Sequence, residues 1–155
     1  MSKFKLAEFA QIAEIVAAVA VVVSLIYVGK EVQSNTSAVR GAAMQAIATT
    51  DADALMTIVS DAELSEILRI GRQDPSQLSQ ADAYRYELWM RQFWLSFQNI
   101  FLQSELGLID SSVWNSYLTV ICRMWSDHGP RSTWSNHVDV LNADFAAVVE
   151  QCESR

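Results

Sequence analysis

Apolar positions fall along this chain in two different ways. From Ile15 to Val28 the sequence reads IVAAVAVVVSLIYV, with no charge, no Pro and no Gly. From Val32 onward apolar residues return mainly at intervals of three and four, the period of one helix face. The first pattern predicts a helix that is apolar on every side, and the second predicts a series of amphipathic helices.

A helix rises about 1.5 Å per residue, so Ile15 to Val28 covers roughly 21 Å. A bilayer core is roughly 30 Å thick. Extending the run back to Phe9 supplies the missing length and takes in Gln11 and Glu14. We expect a transmembrane helix here. Phe4 with Lys3 and Lys5 at one end, and Tyr27 with Lys30 at the other, suit the two membrane interfaces. A buried core helix and a cleaved signal peptide are the two rival readings, and no small-x-small cleavage site supports the second. Small residues recur at Ala10, Ala13, Ala17, Ala20 and Ser24, alternating three and four apart. That spacing would let two backbones approach closely in lipid, so these residues form a candidate helix-association seam. Glu14 is the candidate intramembrane ionisable residue, with snorkelling to the headgroups as the plainer alternative. Lys3 and Lys5 on one side are balanced by Lys30 and Arg40 on the other, which leaves the topology open.

The second pattern yields the rest of the fold. A long helix is expected from Phe9 to about Ser60, kinked near Gly29 or Asn35. There Asn35-Thr36-Ser37 offers side chains that compete with helix backbone. Asp61 is read as the N-cap of Ala62–Gly71, with Gly71 as its stop. Asp74-Pro75-Ser76 reads as a turn, and Ser79 with Asp82 as a capping box. These open the most apolar of the later helices, Ala81 to Leu106. Tyr86, Met90, Phe93, Phe97 and Ile100 run along it at heptad spacing, with Leu88, Leu95 and Leu102 on a second face and Trp89, Trp94 and Phe101 between. A helix apolar on most sides belongs at the centre of its bundle. Such a stripe reads first as core. Its second reading is the wall of a lipid or small-ligand pocket, lined by Met90, Phe93, Trp94 and Phe97. Gly107 ends this helix. Asp110 opens Ser112–Trp125, and Asn142 or Asn136 caps a last helix reaching about Cys152.

The predicted fold is therefore all-α, an N-terminal transmembrane helix running into a helical bundle. Its parts are an anchor at 1–30, a helical extension at 31–60 and a bundle domain at 61–155. Composition narrows the function. The net charge is -7 and the charged fraction only 19%. An acidic chain without a basic patch is a poor nucleic-acid binder, because phosphate contacts need clustered Lys and Arg. His128 and His137 do not stand at zinc-ligand spacings. No nucleophile elbow, phosphate loop or dinucleotide fingerprint occurs. We expect no catalytic residue, no metal and no cofactor. Cys122 and Cys152 are read as two separate buried thiols, with a pairing between the last two helices left open.

The stretch SLIYVGKEVQSNTSAVRGAAMQA resembles an uncharacterised family of small bacterial proteins. In that family an apolar N-terminal helix runs into an NT-x-x-x-R segment. ILRIGRQDPSQLSQADAYRY and LQSELGLIDSSVWNSY are similar to its later turn and helix junction. The resemblance implies a single-pass bacterial inner-membrane protein with a C-terminal helical domain, and it implies no activity. Two functions are expected. The first is an interaction or assembly subunit, joined to itself or another membrane protein through the apolar helix. The second is a module that binds lipid or a small apolar ligand with the aromatic helix 81–106.

Overall fold

The computed structural model describes residues 3–154, with side chains from 9 to 153. All secondary structure among them is helical, with no strand. Helix α1 (Lys3–Ser60) runs without a break through Gly29 and Asn35. The polar cluster does not interrupt it, because its hydroxyls turn back onto the helix. Thr36 donates to the Val32 carbonyl at 2.8 Å, and Ser37 to Gln33 at 3.0 Å. The interface residues Lys3, Phe4 and Lys5 have side chains outside the described residues.

The chain forms two compact units, residues 1–41 and 42–155. In the first, the apolar stretch of α1 is long and apolar enough to cross a membrane, with a mean hydropathy of 2.4. None of its described side chains is buried. Ala10, Ala13, Glu14, Ala17, Ala20 and Ser24 are all exposed.

The second unit holds the core. The rest of α1 contributes Ile47, and α2 (Ala62–Gln73) contributes Leu64 and Ile67. Helix α3 (Gln80–Glu105) buries Tyr86, Met90, Trp94, Phe97, Ile100 and Phe101. Leu118, Ile121 and Trp125 come from α4 (Ser111–Trp125). The short α5 (His128–Ser132) buries Gly129 and Pro130. Phe145, Ala146 and Val149 come from α6 (Ala143–Glu150). Local chemistry starts α2, α3, α4 and α6 where the sequence indicates. The side chains of Asp61, Ser79, Asp110 and Asn142 each accept from a backbone N–H of the following first turn. Gly107 closes α3 with φ 67, a backbone that glycine adopts without strain.

Three expectations are corrected. Gly71 does not stop α2, which continues to Gln73. Its role is packing: a Cβ there would lie 2.6 Å from Cε2 of Tyr86. A Cβ on Gly129 would overlap the Gly71 carbonyl, so α2 and α5 meet backbone to backbone. Secondly, α3 is not enclosed on all sides. Its Leu88, Leu95 and Leu102 face is exposed at 46%, 38% and 37%. Thirdly, Cys122 and Cys152 are joined in a disulfide, with Cα atoms 5.0 Å apart. It ties α4 to the 3₁₀ turn at Gln151–Ser154 that follows α6.

Candidate functional site

The second unit contains a cleft of about 1250 Å³. One wall is α1 from Thr50 to Ile58, and α2 forms another from Ser65 to Gln73. Helix α3 supplies the floor, and α4 and the start of α5 complete it. Met90, Phe93 and Phe97, all expected as ligand-lining, are on this floor. Trp94, expected with them, is not. It is 0% exposed and stacks edge-on against Trp134 at 4.9 Å and Trp125 at 6.5 Å. The reason is periodic. A straight α-helix drifts by about 20° per heptad against a strict seven-residue repeat. The buried line therefore runs Tyr86, Met90, Trp94, Phe97, Phe101, and Phe93 slides to the cleft side at half-burial.

Aromatic rings order the floor. Phe93 and Phe97 meet edge to face at 4.2 Å, and Phe97 continues to Tyr117 at 5.9 Å. The Tyr117 hydroxyl donates to Asp51 Oδ2 at 2.5 Å. Burial, then that bond to a carboxylate, pushes the Tyr117 hydroxyl up to about 12. At the other end stand Arg69, Arg72, Asp127 and His128. Both arginines are paired there: Arg69 with Glu66 at 2.6 Å and Arg72 with Asp127. Burial also raises the Tyr86 hydroxyl above its ordinary range, with Asp127 adding to the effect and Arg72 opposing it.

His128 and His137 do not come together in one site. His128 is exposed at the cleft, whereas His137 is 1% exposed in the core. Neither His137 nitrogen has a hydrogen-bond partner among the described residues. Among those residues, no group of three or more His, Cys, Asp or Glu side chains could hold a metal ion. The sequence missed Asp51, Arg72 and Tyr117 as cleft residues. Asp51 and Tyr117 stand 66 positions apart, and no local spacing joins them.

The second unit is thus a helical body with an aromatic-floored cleft, on a chain that also carries a membrane-length apolar helix. Comparison with protein-family models, curated proteins and solved structures gives no match.

Proposed function

We propose that this is a membrane-anchored module whose C-terminal unit binds an apolar chain, such as a lipid acyl tail, along α3. The single observation that carries the reading is the cleft and its dimensions. From Tyr86 to Ile100 a helix rises roughly 21 Å. A single acyl chain spans roughly 15 Å, half of a bilayer core. About 1250 Å³ over that length gives a mean cross-section of about 60 Å². An extended apolar chain fits these dimensions. The lining suits the same ligand, with Leu55, Met90, Phe93, Phe97 and Val120 offering apolar contact. In the same reading α1 from Phe9 is the membrane anchor. Its exposed apolar side chains are covered by lipid tails, and the family resemblance agrees with that placement. The assembly reading rests on the seam Ala10, Ala13, Ala17, Ala20 and Ser24, which is exposed along α1.

The test uses the full chain in lipid nanodiscs, titrated with 1-octanol and read by tryptophan fluorescence against empty discs. Trp89 lines the cleft and reports on it. We expect saturable binding. Leu55→Asp and Val120→Asp, at exposed positions of the lining where folding is undisturbed, should each weaken it at least about tenfold. A signal that never saturates, or one that both variants leave unchanged, sinks the ligand reading. The anchor is tested separately, by retention of the protein in membranes through a carbonate wash.

A further inference from the structure

We propose that the α1 end of the cleft takes a cationic head group, an alkylammonium, whose tail lies over Phe97, Phe93 and Met90. This rests on the cleft reading above and adds the polarity of its ligand. The two ends of the cleft differ in how their charges are satisfied. At the α2 end each arginine already has its carboxylate. At the α1 end Asp51 is half-buried and bonded only to the neutral Tyr117 hydroxyl. Among the described residues no Lys, Arg or His reaches it. Asp53, on the same wall, has no cationic partner among them either. The uncompensated charge of the cleft is therefore negative and sits at one end.

A carboxylate has room for about four hydrogen bonds, and one is used here. Beside it, the rings of Phe97 and Tyr117, 5.9 Å apart, wall the same end of the cleft, an aromatic lining that suits an ammonium. An anionic head would instead have to displace Glu66 or Asp127 from an arginine. It would also do so in a chain of net charge -7.

The experiment compares octylamine, 1-octanol and octanoate at pH 7 on the full chain in nanodiscs, against empty discs. 1-Octanol can donate one hydrogen bond to the carboxylate, whereas the ammonium adds a full positive charge to it, so octylamine should bind at least about tenfold tighter than 1-octanol. Octanoate should bind weakest. Asp51→Asn should remove the preference for octylamine. Tyr117→Phe keeps the ring, frees the carboxylate and should retain the preference, which guards against a folding defect in the first variant. Equal binding of octylamine and 1-octanol would overturn the head-group inference and leave the cleft reading standing. So would octanoate binding best, or an Asp51→Asn variant that keeps the preference. Failure of all three probes to bind would overturn both.

A second inference has an independent observation behind it. From the Cys122–Cys152 disulfide we infer that residues 42–155 work on the oxidising side of a membrane, outside the cytoplasm. The Cα separation of 5.0 Å lies within the ordinary disulfide range, and secondary structure holds both partners. Disulfides form and persist in oxidising compartments and are rare in the cytosol. The inference is compatible with an apolar helix that stays as an anchor with the second unit outside, and with one that is cleaved as a leader. To form the Sγ–Sγ bond, two thiols lose two protons and two electrons. The acceptor is the disulfide of a thiol oxidoreductase, which leaves as a dithiol.

In bacterial cells quenched with acid, a maleimide polymer should add no mass to the protein until it is reduced, and two units afterwards. A C-terminal alkaline phosphatase fusion should be active. Immediate labelling of both thiols, or an inactive phosphatase alongside a fluorescent cytoplasmic fusion, would overturn it.

Discussion

Two apolar helical stretches in this chain meet opposite fates. In α1, Val16, Val19, Val21, Val22 and Val23 are each more than half exposed. In α3, Tyr86, Met90 and Trp94 are at most 2% exposed. The two differ in distribution more than in apolar content. The α1 stretch is apolar around its whole circumference, so no face is marked for packing on a partner within the chain. The charges of α3 at Arg85, Glu87 and Arg91 break up its surface and leave an apolar side to be filled. Side-chain type differs as well. Aliphatic, β-branched residues give α1 a smooth surface, whereas the large rings of α3 interlock with Trp125 and Trp134. Hydrophobicity alone therefore does not tell which solvent a helix meets. An apolar helix without a polar face suits either a protein core or a membrane.

The sharpest way to break this comparison is to truncate one side chain in each region. Trp94→Ala should destabilise the second unit by about 3–5 kcal/mol, because a fully buried ring leaves a cavity among other rings. Near-ultraviolet circular dichroism during denaturant unfolding would read it. Val22→Ala, at a position 54% exposed, should leave the same transition unmoved. A loss below about 1 kcal/mol at Trp94 would show that α3 is not the core that its burial indicates.

What was legible in the sequence was local. Asp61, Ser79, Asp110 and Asn142 each act within three residues of themselves, and Gly107 marks a turn that only its own backbone makes. What was not legible depends on residues far apart. Gly71 carries the signature of a helix stop, yet it is small because the Tyr86 ring presses on it. Phe93 and Trp94 are neighbours in sequence, and only the tertiary partners decide which one enters the core. The same holds for the Asp51–Tyr117 pair and for the disulfide, whose cysteines lie 30 positions apart.

A smaller effect separates the two regions by pH. His137 is buried against Glu87, Arg91 and Asp139, and loss of water holds its imidazole below the ordinary value of 6.5. Arg91 acts in the same direction, while Glu87 and Asp139 oppose it. The unfolded chain takes up this proton near pH 6.5, whereas the folded chain resists it to a lower pH. Between those two values the unfolded state binds more protons, so stability falls as the pH drops. The loss begins near pH 6.5, ends below the folded value, and is at most about 1.4 kcal/mol per pH unit. His137→Gln should flatten the melting temperature between pH 7 and pH 5. An unchanged slope would mean that other groups set it. The apolar stretch of α1 should keep its helicity throughout that range.

The smallest expected effect on the folded body, and the one that sharpens the α1 side, comes from Ala17→Ile. Lipid tails are as apolar as Leu, so a helix in a bilayer gains nothing by hiding apolar area from them. Two such helices associate through close backbone contact, which small side chains permit. Ala13, Ala17 and Ala20 fall on one face, with Glu14 beside it. Isoleucine at position 17 keeps the helix apolar and insertable, yet holds a second helix away. Membrane insertion and the unfolding of residues 42–155 should both be unchanged, while any dimer seen by cross-linking in nanodiscs should fall apart. Val22→Ile, off that face, should be silent in all three measurements. A dimer that survives Ala17→Ile would show that the alanine spacing only reflects composition. Association would then have to use the exposed Leu88, Leu95 and Leu102 face of α3 instead.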